Sequence, residues 1–137
     1  NVLPGASLRV WKEYFKNAEI YGADIDKETL FREKNIKTFY VDQYDSISIK
    51  RMWEKIRCKD FDLIIDDGCH QYDATINFFK NSISKLSNTG YYIIEDIYYK
   101  DKPRFLSFFE QLNYSFYYIE LKNNMNLKDN NLFIVRI

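Results

Sequence analysis

The chain is poor in the residues that most often announce a function. It carries one histidine, four glycines, two prolines and two cysteines in 137 residues. Cys58 and Cys69 make no disulfide framework, so a reducing compartment, the cytoplasm, is expected. Charge of one sign is also lacking, because 20 basic residues balance 20 acidic ones. No general field draws such a chain to nucleic acid or to an anionic membrane, and neither is expected as a partner. No apolar run approaches the ~20 residues that a membrane-spanning helix needs. No repeat, linker or low-complexity tail interrupts the chain, and its length suits one domain with a real core.

Against these shortages stands a regular alternation of patterns. "ASLRVWKEYFKN" places Leu8, Trp11 and Phe15 at helical spacing. "AEIYGADI" predicts a strand over Glu19–Asp24, and "DKETLFREKN" a short helix capped near Asp26. "IKTFYVD" predicts a strand ending near Asp42. "SISIKRMWEKIRC" predicts a helix with Ile49, Met52, Trp53 and Ile56 on one face and Ser46 as its cap. "FDLIID" predicts a strand. "YDATINFFKNSISKLSNTG" predicts a helix with Ile76, Phe79, Ile83 and Leu86 in one stripe, closed by Gly90. "YYIIED" predicts the next strand, and "PRFLSFFEQLN" a helix with Pro103 in its first turn. "YSFYYIELK" and "NLFIVRI" predict two last strands, joined by a polar hairpin loop over Asn123–Asn131. Strands alternating with helices imply a doubly wound, mostly parallel α/β sheet, here with an antiparallel C-terminal edge. The aromatic run Tyr98, Tyr99, Phe105, Phe108 and Phe109 reads either as core or as an interface, which would make a homo-oligomer.

One part of that pattern is missing. A doubly wound domain opens on a strand and a Gly-rich turn that cradles a ligand. This sequence goes from "NVLPGAS" straight into a helix, with Gly5 alone. The first strand and its loop are expected upstream of Asn1, which makes residues 1–137 a truncated single domain.

In open α/β sheets, ligands bind beyond the carboxyl ends of the strands. Here those ends carry Asp24, Asp42 with Gln43, Asp66 and Asp67 followed by His70, and Glu95 with Asp96. One such acid is an ordinary turn residue. Acids at four strand ends on one rim repel one another unless a cation or ligand hydroxyls offset the charge. The strands carrying Asp67 and Glu95–Asp96 are joined by one crossover helix, so they are expected to be sheet neighbours. Asp67, Glu95 and Asp96 would then form an oxygen-only set suited to Mg²⁺. His70 is left to act as a general base, because imidazole is a soft partner for Mg²⁺ and ordinarily titrates near ~6.5. With Mn²⁺, Fe²⁺ or Zn²⁺, His70 becomes a ligand instead.

In this order, "YGADID", "FYVDQYD", "FDLIIDDGCH" and "GYYIIEDI" resemble the class I S-adenosylmethionine-dependent methyltransferases. More narrowly they resemble the metal-dependent sugar O-methyltransferases of macrolides and tetracenomycins, and related enzymes of surface-polysaccharide clusters. The cephalosporin hydroxylase-like family shares the same acidic set. The resemblance implies a Rossmann-like methyltransferase sheet and assigns roles. Asp24, in the motif that also holds Gly22, matches the acid on the cofactor ribose. Asp42 matches the acid near the adenine, with Gln43 beside it, and Asp66 faces the methionine end of the cofactor. Asp67, Glu95 and Asp96 match the Mg²⁺ ligands, and His70 matches the base. The implied reaction is methyl transfer from S-adenosylmethionine to a sugar hydroxyl deprotonated by His70, with Asp67 catalytic through the metal. Three other readings are an N-methyltransferase acting on an amino sugar, a cofactor-binding module without catalysis, and a nucleotide-sugar enzyme that uses the acids for ribose only. Metal independence would favour the first, and cofactor binding without turnover the second.

Overall fold

The computed structural model describes residues 3–112, 114–121 and 128–137. Residues 123–127 of the expected hairpin loop lie outside the described residues, as does Asn113 at the end of the expected last helix.

Among the described residues are four α-helices and seven strands: α1 (Ala6–Tyr14), β1 (Ile20–Asp24), β2 (Arg32–Glu33), β3 (Ile36–Tyr40), α2 (Ser46–Ile56), β4 (Phe61–Asp66), α3 (Tyr72–Ser82), β5 (Leu86–Ile94), α4 (Lys102–Glu110), β6 (Ser115–Glu120) and β7 (Asn131–Arg136). The strands form two sheets, ordered β1-β3-β2 and β4-β5-β7-β6. β1 runs parallel to β3, and β4 runs parallel to β5. β7 lies antiparallel between β5 and β6, so the C-terminal pair forms the expected antiparallel edge, with β6 outermost. The single sheet expected from the pattern is thus divided, and among the described residues no ladder joins β1 to β4. Aromatic contacts bridge the division: Tyr21 of β1 meets Phe61 of β4 edge-on at 5.5 Å, and Phe61 meets Trp53 of α2 at 5.3 Å.

The core lies under the four-stranded sheet. Phe79 of α3 touches Tyr92 at 5.0 Å and Phe109 of α4 at 5.1 Å, and Phe109 meets Phe133 of β7 at 5.2 Å. All four rings are essentially excluded from solvent, which makes them the largest apolar contribution to stability. Phe105 and Phe109 are therefore core, whereas Tyr99 is exposed.

Three local expectations are corrected. Residues 26–35 do not form a helix. They make one 3₁₀ turn, Lys27–Thr29, and then β2, which pairs antiparallel with β3. The Thr38 hydroxyl bonds both the N–H and the carbonyl of Phe31, at 2.6 and 2.7 Å, and holds this segment extended. The cap of α2 is Asp45, whose carboxylate accepts from the Ile47 N–H, while the Ser46 hydroxyl donates to Asn77. Gly90 does not close a helix. α3 ends at Ser82, the 3₁₀ turn Ile83–Lys85 follows, and Gly90 lies within β5.

Gly90 sits where the β4–β5 ladder slips. The pairing jumps from Phe61–Leu86 to Leu63–Tyr91. A Cβ on Gly90 would lie 2.7 Å from the Phe61 carbonyl oxygen and 2.9 Å from Leu86. Overpacking of this kind typically costs ~1–3 kcal/mol. Gly90→Ala is accordingly expected to lower the urea midpoint at unchanged m-value. An unchanged midpoint would show that the ladder absorbs the methyl.

Candidate functional site

The parallel strands bring their acidic ends together because each ladder keeps its strands in step. Asp66 pairs with Ile94 across β4 and β5, and the Glu95 N–H donates to the Asp66 carbonyl at 2.9 Å. The residues just beyond these ends converge. Asp67, His70 and Asp96 each offer a ligand atom within 4.8 Å of the others, and His70 Nε2 lies 3.2 Å from Asp67 Oδ1. His70 and Asp96 both have positive φ, 55° and 51°. L-residues adopt this left-handed conformation at a cost unless the surroundings impose it. For Asp96 the surroundings are the buried Asn131, whose side chain donates to the Ile97 carbonyl at 2.8 Å and whose own carbonyl accepts from the Ile97 N–H at 3.1 Å.

Glu95 stands beside this group, not in it, where Asp67, Glu95 and Asp96 were expected to converge. Successive residues of an extended chain point to opposite sides. The left-handed turn at Asp96 brings its carboxylate toward Asp67 and His70. Partial burial raises the pKa of Glu95, and the charges of Asp67 and Asp96 raise it further, against the pull of His70. The like-charge crowding read from the sequence is thus present.

Asp66 differs from its neighbour. Asp67 is exposed, and Asp66 is 4 % exposed. Burial pushes the Asp66 carboxyl up to about 6, against hydrogen bonds from Gln43 and the Gly68 backbone. Its Oδ2 has no partner among the described residues.

The other expected cofactor residues fall into two groups. Asp24 is exposed and Asp42 half-buried at the rim. Each accepts a hydrogen bond from the N–H two residues on, Asp26 at 2.8 Å and Tyr44 at 2.9 Å, as a turn-forming aspartate does. Gly22 and Gln43 have close neighbours inside the fold. Gly22 is covered by α1: a Cβ there would lie 2.6 Å from Leu8 Cδ1 and 3.2 Å from Thr38 Cγ2. Both ends of the Gln43 amide are engaged inside the fold, Nε2 donating to Asp66 Oδ1 at 2.6 Å and Oε1 accepting from the Cys69 N–H at 2.9 Å. The sequence reading missed Asn77 and Asn131. Each is an amide set among apolar neighbours, "ATINFF" and "NNLFIV", and that setting was the available signal.

No protein-family model matches the chain. It is 34% identical over 101 residues to the 8-demethyl-8-alpha-L-rhamnosyl tetracenomycin-C 2'-O-methyltransferase of Streptomyces olivaceus, covering 74% of this chain and 26% of that protein. It is 35% identical over 101 residues to the mycinamicin VI 2''-O-methyltransferase of Micromonospora griseorubida, covering 74% and 25%. The chain thus spans about a quarter of the length of these relatives. Among solved structures it superposes on the MycE methyltransferase of the mycinamycin biosynthetic pathway, in complex with Mg and SAH, with a TM-score of 0.71 and 26% identity. That match covers 96% of this chain and 40% of MycE. The chain therefore has a Rossmann-like methyltransferase fold and is similar in sequence to part of the macrolide and tetracenomycin sugar O-methyltransferases.

Proposed function

We propose that the chain is the catalytic part of an S-adenosylmethionine-dependent, Mg²⁺-assisted O-methyltransferase whose acceptor is a sugar hydroxyl. The observation that carries this reading is the convergence of Asp67, His70 and Asp96 beyond the neighbouring strands β4 and β5. The donor chemistry fits a hard cation. Two carboxylates meet there, and a third, Glu95, is held half-buried against their charge. Asp67 and Asp96 would hold Mg²⁺, with Glu95 alongside. The bound cation supplies positive charge that favours the ionised form of an acceptor hydroxyl, and S-adenosylmethionine supplies the methyl group. Asp24 and Asp42, at the ends of β1 and β3, would meet the cofactor. His70, whose Nε2 lies 3.2 Å from Asp67 Oδ1, would take the hydroxyl proton.

The relatives' substrates support a glycosylated natural product as acceptor; a surface polysaccharide is the finer alternative. We assign the reaction to the cytoplasm on the free cysteines Cys58 and Cys69, the latter exposed. No helix among the described residues is long and apolar enough to cross a membrane.

The test is transfer of labelled methyl from S-adenosylmethionine to rhamnosyl and deoxysugar acceptors, with and without EDTA. Label is expected on oxygen, lost on chelation and restored by Mg²⁺. Equal transfer in EDTA would remove the metal from the proposal, and label on nitrogen would remove the O-methyltransferase.

A second reading is favoured by His70 itself, which lies within ligand distance of the same two aspartates. With a softer ion, such as Mn²⁺ or Fe²⁺, His70 would be a ligand and not the base.

A further inference from the structure

We propose that Gln43 is the positioning residue of the site: it clamps the loop between β4 and α3, so that Asp67 and His70 are presented together. This rests on the functional reading above and reassigns Gln43 from the cofactor to the fold.

The clamp has three points. Gln43 Nε2 holds the Asp66 carboxylate at the end of β4. Gln43 Oε1 holds the Cys69 N–H, midway between Asp67 and His70 in the loop. The Gln43 carbonyl accepts from Asn77 Nδ2 of α3 at 2.7 Å. Asn77 is fixed in turn, because its Oδ1 accepts from the Ser46 hydroxyl at 2.6 Å and from Asn81 Nδ2 at 3.1 Å. Gln43, three positions past the end of β3, thus grips the loop before, within and after its functional pair.

Gly68 records the same clamp. Its backbone has no positive φ, so its conformation does not demand glycine. What demands it is space: a Cβ would run into the Gln43 amide, 2.6 Å from Cδ. A side chain at position 68 would displace that amide. Partners of this kind, which orient ligands without touching the metal, typically change metal affinity or activity ~10–100-fold when removed.

Two variants test this in the purified protein. Gln43→Leu keeps the bulk and removes both hydrogen bonds. Gly68→Ala leaves Gln43 in place and pushes its amide off the loop. Three quantities are read: hydrogen exchange of the Cys69 amide without metal, Mn²⁺ affinity by electron paramagnetic resonance, and S-adenosylhomocysteine affinity by calorimetry. Both variants are expected to speed Cys69 exchange at least ~10-fold and to weaken Mn²⁺ binding ~10–100-fold, while S-adenosylhomocysteine affinity stays within ~3-fold. Unchanged Cys69 exchange in a folded variant overturns the clamp. So does loss of S-adenosylhomocysteine affinity with Mn²⁺ affinity kept, which would return Gln43 to the cofactor. If wild-type protein binds no Mn²⁺ and exchange at Cys69 still accelerates, the functional reading falls and the clamp stands. Should Gln43→Leu not fold, Gly68→Ala decides alone.

Discussion

Replacing His70 with alanine is expected to slow methyl transfer by ~10²–10⁴-fold, the usual worth of a positioned general base. The ring is placed for that work by the left-handed backbone at His70, φ 55°, and by the 3.2 Å contact of its Nε2 with Asp67 Oδ1. Both features hold the imidazole beside Asp67 at an exposed position. The loss should fall on kcat, because a base acts on the reacting proton and not on cofactor binding. The same variant separates the two readings of the histidine. If His70 is the base, Mn²⁺ affinity in His70→Ala stays within a few-fold of wild type. If His70 is a ligand, Mn²⁺ affinity falls with the rate, and His70→Gln, which restores a neutral donor, recovers part of both. A variant that methylates at the wild-type rate removes His70 from the chemistry altogether.

Much of this site could be read before any coordinates, for a reason rooted in topology. A crossover helix between two strands makes them parallel neighbours, so residues at equal distance past their ends must meet. That placed Asp67 beside the Glu95–Asp96 pair from sequence alone, and the β4–β5 ladder carries it out. Periodicity also recovered the helical faces that hold Ile49, Met52, Trp53, Ile76 and Phe79 in the core.

The misses share a different cause. Glu95 and Asp96 are adjacent, and which of them joins Asp67 depends on a left-handed residue that no spacing rule announces. Gln43 reads as a rim residue until Asp66, 23 positions away, is seen to accept its amide. Gly90 resembles a helix stop, yet it answers to a close neighbour, the Phe61 carbonyl. The stretch from Asp26 to Asn35 favours a helix locally but is drawn into β2 by Thr38 and the ladder with β3. In each case a contact distant in sequence overrides a local preference.

Asp66 carries the second large effect: metal-free protein is expected to lose ~3 kcal/mol of stability through this one carboxyl as pH rises from about 4 to 6 and above. Its carboxyl is pushed up to about 6 from an ordinary 3.8, chiefly by burial. Below the ordinary value both folded and unfolded chains hold the proton, and stability is greatest. Between 3.8 and about 6 the unfolded chain has ionised Asp66 while the folded chain still holds its proton. The folded state then binds more protons, so stability falls as pH rises and levels off above the folded pKa. Two pKa units at ~1.4 kcal/mol each give the magnitude. Asp66→Asn isolates the effect. Asparagine keeps an acceptor for Gln43 Nε2, never ionises, and offers a donor where Oδ2 now has no partner among the described residues. Urea unfolding in EDTA at pH 4, 5, 6 and 7.5 should show the variant gaining on wild type across that window, by ~3 kcal/mol in all. A difference that stays constant with pH would mean that Asp66 is not desolvated as its burial implies. Mg²⁺ supplies the link to function. A cation held by Asp67, the next residue, favours ionised Asp66, so adding Mg²⁺ should shrink the gap between variant and wild type at pH 7.5. The buried charge would then cost stability in the empty protein and lose much of that cost once the site is filled, which couples metal occupancy to the folding of the loop that carries Asp67 and His70.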